Sequence, residues 1–242
     1  MNNENITALL LRRYALAQTP LGQFLLNLHV QQQRLRAGWL ANGSDAAKRL
    51  FDIFTSFALL IALSPVFLAA AVLVWIEDGG SVFFSQVRVG RYGREFRMYK
   101  FRSMCLDAER RLNNLLEKNQ HQEGVTFKIK DDPRITKVGK WLRKLSIDEL
   151  PQIFNVLIGN MSLVGPRPPV PREVAAYSPA DRRRLAIKPG ITCIWQVSGR
   201  SEIDFSGQVK LDVDYIEQQS FLKDLQILLL TVPAVFSGKG AC

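Results

Sequence analysis

An almost unbroken apolar run from Phe51 to Ile76 constrains this chain of 242 residues more than any other feature of its sequence. Within the run only Asp52 is charged. A membrane-spanning helix needs about 17–25 such residues, so the length is sufficient. A signal peptide is not expected, because the run begins about fifty residues into the sequence and lacks a small-residue cleavage pattern. The run therefore predicts a membrane helix, with a buried core helix as the alternative.

The Ser64-Pro65 pair lies at the middle of this run and predicts a kink. Proline removes one backbone hydrogen bond and clashes with the preceding turn, and Ser64 could help satisfy the groups that are freed. Each half is then roughly 12 residues long, close to the depth of one membrane leaflet. Basic residues lie on both sides of the run, which favours a helix that enters and returns over one that spans, and spanning stays open. These flanking residues are Arg12, Arg13, Arg34, Arg36, Lys48 and Arg49 before the run, and Arg88, Arg91, Arg94, Arg97, Lys100 and Arg102 after it.

Composition limits the remaining classes of function. The formal net charge of +10 suits an anionic partner, which nucleic acid, an acidic membrane surface or a phosphorylated substrate would each provide. Three widely spaced cysteines without a CxxC pair argue against a disulfide framework and for a reducing compartment. The two histidines, His29 and His121, have no carboxylate or cysteine partner nearby in sequence. A histidine-based triad or a zinc site is therefore not expected.

The pattern outside the run predicts an α+β fold that is mostly helical with one small β-hairpin. Residues 1–47 contain two stretches able to form amphipathic helices. The stretch SVFFSQVRVGRYGREFRMYKFRSM alternates apolar and polar residues around GRYG, which predicts an arginine-rich hairpin. Helices are expected from about Lys137 and over QIFNVLIGN, and one or two more helices are expected over the stretch that begins with SGQVK and ends in a glycine-rich tail. The predicted units are an extension at 1–47, a membrane hairpin at 48–77 and a catalytic domain at 78–242.

Asp148 and Glu149 lie side by side in RKLSIDELPQIFNVLIGN, and two interpretations are open. The sequence from Ser146 to Glu149 fits a capping box, although Pro151 fits that frame imperfectly. Alternatively, one carboxylate attacks phosphorus while its neighbour holds Mg²⁺ by one or two oxygens. Phosphoryl transfer also needs cations for the equatorial oxygens.

Several cations fall where such a site would need them, in loops or at the ends of predicted elements. They are Lys100, Arg102, Arg143, Arg167 and Arg200. Arg167 lies between two prolines, which limits its backbone freedom. For any single arginine a solvated surface charge is the alternative. Asp212 could orient an arginine or a substrate hydroxyl, Asp214 is expected to be a surface charge, and the RRR run at 182–184 is expected to be a solvated or lipid-facing patch.

Five ordered motifs carry a family resemblance. They are KRLFDIFTSFALLIALSPVFLAAAVLV, YKFRSM, LRKLSIDELPQIFNVLIGNMSLVGPRP, KPGITCIWQVSGR and LDVDYI. From about Lys48 to the C-terminus the chain resembles the bacterial sugar transferase family, the monotopic phosphoglycosyl transferases. The motifs are long and follow one another in the same order, so the resemblance is specific.

The resemblance implies transfer of a sugar-1-phosphate from a UDP-sugar to a polyprenyl phosphate, usually undecaprenyl phosphate, with release of UMP. This reaction would start an exopolysaccharide, capsule, O-antigen or glycoprotein glycan at the cytoplasmic face of the bacterial inner membrane. It implies a re-entrant helix broken at Ser64-Pro65, Asp148 as the nucleophile that forms an aspartyl-phosphosugar intermediate, and Glu149 as the ligand of Mg²⁺. The implied substrate-binding residues are Lys100, Arg102, Arg143, Arg167, Gln196, Arg200 and Asp212.

The sequence also departs from the family pattern. Many members have a Gly-Trp pair where this chain has Cys193-Ile194-Trp195, which bears on substrate choice. The GKGAC end resembles the tail of larger, dimer-forming relatives, so a homodimer is expected, together with inner-membrane lipid and without nucleic acid as a partner. A non-catalytic basic module that binds anionic lipid or nucleic acid is the alternative, and the intact Asp-Glu pair argues against it. The sequence does not identify the sugar.

Overall fold

The computed structural model describes residues 45–108, 110, 132–199 and 202–237, together with Thr19. The chain divides into two compact units, Met1–Leu50 and Phe51–Cys242. The amphipathic helices expected before residue 45, Arg200 and the GKGAC tail lie outside the described residues. The homodimer and the domain boundaries at 47 and 77 stay predictions.

The apolar run forms two helices, α1 (Asp45–Ala62) and α2 (Ser64–Asp78), which are bent by 61° at the break between them. Pro65 lies in the first turn of α2 and has no N–H to donate to the carbonyl of Ile61. The hydroxyl of Ser64 donates to that carbonyl instead, at 2.8 Å. The predicted kink and the predicted role of Ser64 are both confirmed. In the described part of the chain no helix is by itself long and apolar enough to cross a membrane, whereas the bent pair satisfies the length and composition required.

The arginine-rich hairpin is confirmed. Strand β1 (Phe83–Val89) pairs antiparallel with β2 (Glu95–Phe101), in a register that places Val89 opposite Glu95. The GRYG connection contains a 3₁₀ turn at Arg91–Gly93, in which Tyr92 has a φ of 57°. Lys100 lies near the C-terminal end of β2, at the end of the hairpin opposite this turn.

Short elements follow and surround the hairpin. They are α3 (Lys137–Lys144), a 3₁₀ turn (Ile147–Glu149), α4 (Gln152–Leu157), β3 (Ser162–Val164), α5 (Pro171–Ala175), a 3₁₀ turn (Asp181–Leu185), β4 (Gly190–Thr192), α6 (Ile194–Ser198), α7 (Phe205–Glu217) and α8 (Phe221–Ser237). The helices expected near Lys137 and over QIFNVLIGN are therefore confirmed. Strands β3 and β4 pair in parallel, a feature that the sequence pattern did not predict. Three residues per strand are too few to show alternation.

The β-hairpin connects two apolar clusters. Met98 lies in the larger one, with residues from α4, β3, α7 and α8. Phe101 lies in the other, which joins α2 to α3. Polar contacts reinforce this second connection, since Glu77 accepts a hydrogen bond from Val138 N at 3.1 Å and Asp78 forms an ion pair with Arg102. The C-terminal end of α2 is thereby attached to β2 and α3, the two elements that precede the predicted catalytic pair.

Candidate active site

Asp148 and Glu149 lie in the 3₁₀ turn between α3 and α4. Ser146 adopts a left-handed conformation with a φ of 54° and makes no side-chain capping hydrogen bond, so the capping-box interpretation is wrong. The turn closes through Leu150 N and the carbonyl of Ile147, at 3.1 Å. It does not continue as an α-helix because the next residue, Pro151, has no N–H to donate.

Glu149 contacts Lys100 across the site. Lys100 Nζ on β2 lies 2.6 Å from Glu149 Oε1. Burial acts to raise the pKa of Glu149, but the charge and the hydrogen bond of Lys100 outweigh it, and the pKa falls below its ordinary value. The charges of Arg167 and Arg88 lower this pKa further. Glu149 is therefore held as a carboxylate, with its side chain 32% exposed.

Asp148 behaves in the opposite way. It is only 5% exposed, and this burial raises the pKa of its carboxyl above the ordinary value. The charge of Glu149 also raises the pKa of Asp148, while Lys100 and Arg143 act to lower it. Two neighbouring carboxyl groups whose pKa values shift apart are suited to different chemical roles.

Two of the predicted cations, Arg143 and Arg102, contact residues other than Asp148 and Glu149. Arg143 lies in the last turn of α3, and its Nε donates to Ser103 Oγ at 3.1 Å. Arg102 is buried and forms its ion pair with Asp78 at the end of α2. Arg102 therefore also joins the site to α2.

Arg167 is held by the backbone on both sides. The carbonyl of Pro166 accepts from Gly190 N at 2.9 Å, and the carbonyl of Pro168 accepts from Arg88 Nη1 at 3.0 Å. A side chain at Gly190 would meet Gly165 N at 2.1 Å, so this close crossing requires glycine. The loop therefore presents Arg167 from a fixed position.

The sequence did not single out Arg88, which appeared there only as one of twelve flanking basic residues. In the structure it is 7% exposed, and its Nη2 donates to Gln86 Oε1 at 2.8 Å. Burial, followed by the charge of Arg167, lowers the pKa of Arg88 to about 10. The spacing of Gln86 and Arg88, which places them on one face of β1, was the available signal.

Asp212 and Gln196 have partners of their own. Asp212 is 1% exposed and pairs with Arg184, which is 4% exposed and also donates to the hydroxyl of Tyr177 at 3.2 Å. Burial raises the pKa of Asp212 to about 6 although Arg184 opposes this. The expectation of a solvated RRR run is therefore wrong for Arg184. Gln196 Oε1 accepts from the buried thiol of Cys193 at 3.1 Å.

A cavity of about 1790 Å³ brings the predicted residues together. Among the described residues, Asp148, Glu149, eight basic residues and Gln196 contribute to its lining, and so do apolar residues of α1 and α8. The basic residues are Arg88, Lys100, Arg102, Arg110, Arg134, Arg143, Arg167 and Arg172, of which Arg102 and Arg134 form ion pairs with aspartates. Asp212 is not among the described residues that line it. A site that combines carboxylates, cations and an apolar wall suits a phosphate ester with a lipid chain.

The donor groups fit Mg²⁺ only as a partner of a substrate phosphate. Among the described residues no group of three or more histidine, cysteine, aspartate and glutamate side chains could hold a metal ion. Mg²⁺ is often held by one or two carboxylates plus substrate phosphates, rather than by the protein alone. Glu149, ionised and partly exposed on the cavity, is a carboxylate of that kind.

The family model and the relatives found among known proteins indicate the same family. The model of the family described as bacterial sugar transferase matches residues 43–238. The galactosyl transferase CpsE of Streptococcus agalactiae is 52% identical over 198 residues, which are 81% of this chain and 43% of that protein. The exopolysaccharide production protein ExoY of Sinorhizobium fredii is 42% identical, over 81% of this chain and 88% of its own length. The undecaprenyl-phosphate galactose phosphotransferase of Salmonella typhimurium is 40% identical, over 90% of this chain and 46% of its own length. The chain thus spans nearly all of ExoY and less than half of the other two.

Proposed function

Because this chain belongs to the bacterial sugar transferase family, we propose that it transfers a sugar-1-phosphate from a UDP-sugar to undecaprenyl phosphate. Relatives that are named undecaprenyl-phosphate galactose and glucose phosphotransferases support this acceptor. The observation that carries the proposal is the buried Asp148 beside the Glu149–Lys100 pair, on a cavity with both cationic and apolar walls. The product would start an exopolysaccharide or a related surface glycan.

In the proposed mechanism Asp148 acts as the nucleophile. Its carboxylate oxygen attacks the phosphorus that carries the sugar, and the bond from that phosphorus to the bridging oxygen breaks, releasing UMP. An oxygen of the acceptor phosphate then attacks the same phosphorus and frees the Asp148 carboxylate. Two steps avoid bringing two polyanions together, because UMP leaves before the acceptor reacts.

The surrounding groups support this chemistry by their charge. Lys100, Arg143 and Arg167 line the cavity near both carboxylates and would stabilise the charge that spreads over the phosphoryl oxygens. Glu149 would hold Mg²⁺, which when bound supplies positive charge to the diphosphate. Lys100 keeps Glu149 ionised, so that this carboxylate is ready to serve as a ligand.

The acceptor is a lipid, and we place α1 and α2 in the inner membrane as a re-entrant pair with the catalytic unit on the cytoplasmic face. Exposed apolar side chains on both helices support this. They include Phe54, Phe57, Ile61, Leu68, Trp75 and Ile76. The bend of 61° and the hydrogen bond from Ser64 to Ile61 support a return to the same side.

The topology can be tested with single cysteines at two exposed positions, after the native cysteines are replaced by serine. Ala46→Cys and Ala180→Cys should react with a membrane-impermeant thiol reagent from the same side of the membrane. Pro65→Leu should restore helix continuity and move the two positions to opposite sides. Labelling from opposite sides in the parent protein would contradict the re-entrant proposal.

The reaction itself is tested with a panel of UDP-sugars, beginning with UDP-galactose and UDP-glucose, on the full chain in lipid discs. The correct donor alone should give a burst of UMP near one equivalent per active enzyme, and intact mass spectrometry should show a phosphosugar adduct on Asp148. With an acceptor, initial-rate plots should be parallel. Intersecting plots with no adduct would indicate direct transfer. If no donor yields UMP and the chain only binds anionic vesicles, the non-catalytic membrane module is favoured.

A further inference from the structure

Four arginine side chains are buried in the described part of the molecule, and they differ in how their charge is compensated. Three of them form ion pairs with an aspartate, as Arg102–Asp78, Arg134–Asp132 and Arg184–Asp212. Arg88 is the fourth, and no described carboxylate forms an ion pair with it. Buried charges are normally paired, because removing them from water is costly. Arg88 is therefore an exception that requires an explanation.

Within the described part of the chain, the hydrogen bonds of Arg88 go to neutral acceptors only. Nη1 donates to the carbonyl of Pro168 and Nη2 to the amide oxygen of Gln86, while Nε has no partner among the described atoms. These bonds orient the guanidinium without neutralising it. The nearby charges are mixed, since Glu149 and Glu173 act to raise the pKa of Arg88, whereas Arg167 and Arg172 act to lower it. The protein therefore places a second cation, Arg167, near a buried arginine that has no ion-pair partner among the described residues.

The positions of Arg88 and Arg167 depend on each other. Arg88 donates to the carbonyl of Pro168, the residue after Arg167, and Val89 N donates to the carbonyl of Pro169 at 2.9 Å. Strand β1 thus holds the loop of Arg167, and both arginines line the cavity that contains Asp148. The guanidinium of Arg88 and the backbone on both sides of Arg167 are thus organised before any ligand binds, which lowers the entropic cost of binding one.

We propose that Arg88 and Arg167 form a phosphate-binding pair, in which a phosphoryl group of a substrate supplies the anion that no described carboxylate provides to Arg88. This inference rests on the proposed function and adds Arg88 to its binding residues. Arginine suits the task, because its planar guanidinium gives several donors in a fixed geometry that matches phosphate. The diphosphate of the donor and the phosphate of the acceptor share this chemistry.

The test compares three variants with the parent in detergent, by calorimetric titration with inorganic pyrophosphate, UDP and farnesyl phosphate. Arg88→Met keeps an unbranched side chain in place of the arginine stem and removes the charge, and Arg88→Lys keeps the charge without the planar donors. Arg183→Met is the matched control, since Arg183 is 59% exposed, pairs with Glu217 and does not line the cavity. Arg88→Met should weaken pyrophosphate binding about tenfold to a hundredfold, as expected for a lost charged hydrogen bond. Arg88→Lys should be intermediate and Arg183→Met unchanged.

UDP and farnesyl phosphate show which of the two substrates supplies the phosphoryl group. A loss confined to UDP assigns the pair to the donor, and a loss confined to farnesyl phosphate assigns it to the acceptor. A structural role for Arg88 is tested separately by thermal unfolding without ligand. We expect the Tm of Arg88→Met to equal or exceed that of the parent, because an unpaired buried charge has been removed. If Arg88→Met binds all three probes as tightly as the parent, the proposal is wrong, whatever its Tm.

Failure of this pair can be distinguished from failure of the proposed reaction. If no UDP-sugar yields UMP but pyrophosphate still binds in a manner that depends on Arg88, the reaction is wrong and the phosphate site stands. If Arg88→Met releases UMP with an unchanged KM for the donor and for the acceptor, the phosphate site is wrong and the reaction stands.

Discussion

Two regions of the molecule bury acidic and basic side chains together, and they do so in different ways. In the region around Asp148 the basic residues line an open cavity, and Arg88 lacks a carboxylate partner among the described residues. In the region around Asp212, Arg184 pairs with the aspartate and lies 5.8 Å from the ring centroids of both Tyr177 and Phe205. The second region neutralises its charge within the protein. The first leaves positive charge for something else to neutralise.

The difference shows how a functional charge can be separated from a structural one. Both aspartates are buried, both have a raised pKa, and both occur in motifs of the same family resemblance. They differ in two respects. Asp148 lines the cavity and Asp212 does not, and Asp212 forms an ion pair with Arg184. When a buried ion pair is complete within the protein, removing one partner lowers the stability of the fold. When a buried charge lacks a partner in the protein, a ligand of opposite charge can compensate it, which is typical of a binding site.

The largest effect is expected from Asp148→Asn. UMP release and the phosphosugar adduct should fall by about a thousandfold or more, because the nucleophile is lost. Stability should not fall with it. The folded pKa of Asp148 lies above the unfolded one because the carboxyl is buried, so the free energy of unfolding decreases as pH rises from the unfolded pKa through the folded one. Thermal unfolding at pH 7 should therefore show an equal or higher Tm. A clear decrease in Tm would make Asp148 a structural residue.

Asp212→Asn should have the converse effect. It leaves the buried Arg184 without its counter-charge, which is expected to lower the free energy of unfolding by about 3–5 kcal/mol. Chemical denaturation measures this loss. For the fraction that remains folded, the KM for the donor should change little. A variant that keeps its stability but has a much higher KM would show that Asp212 binds substrate, as the family resemblance implies, and would remove the contrast between the two regions.

Glu149→Gln separates ligand binding from stability within the active site. We expect activity to fall by about a hundredfold, because the variant cannot supply a carboxylate to Mg²⁺. The Tm should change little, since the Glu149–Lys100 contact is partly exposed and is worth little to stability. Titration of Mg²⁺ in the presence of UDP, followed by calorimetry, should show weaker binding by the variant. Unchanged Mg²⁺ binding would contradict the assigned role.

The smallest expected effect is a shift in pH dependence. The burst rate should rise with pH as Asp148 ionises, and this rise should lie above the ordinary value of 3.8 because burial raises the pKa. Lys100→Met removes the charge that most strongly lowers this pKa, so the rise should move to still higher pH in the residual activity. The pH profile of the burst measures both. A shift to lower pH would mean that the titrating group is not Asp148.

Local patterns explain how much of this could be predicted from the sequence. The kink at Ser64-Pro65 and the hairpin around GRYG depend on neighbouring residues, and both are confirmed. The pairing of β3 with β4 and of Arg184 with Asp212 joins residues that lie 28 positions apart, which no local pattern records. The special position of Arg88 could not be predicted for a similar reason, because it depends on contacts with Pro168, 80 positions away, and on the distance of every described carboxylate from its guanidinium.

The attachment of α2 to the catalytic unit has a consequence for distance along the membrane normal. Glu77 binds Val138 in α3, and Asp78 binds Arg102, the residue that follows β2, so the end of α2 is attached to the elements that carry Lys100 and precede Asp148. In the proposed orientation the acceptor phosphate stays at the height of the lipid headgroups, since its hydrocarbon chain cannot leave the bilayer. The position of Asp148 along the membrane normal would then be set by the depth to which α2 is inserted. A bilayer of different thickness would therefore move Asp148 relative to its substrate.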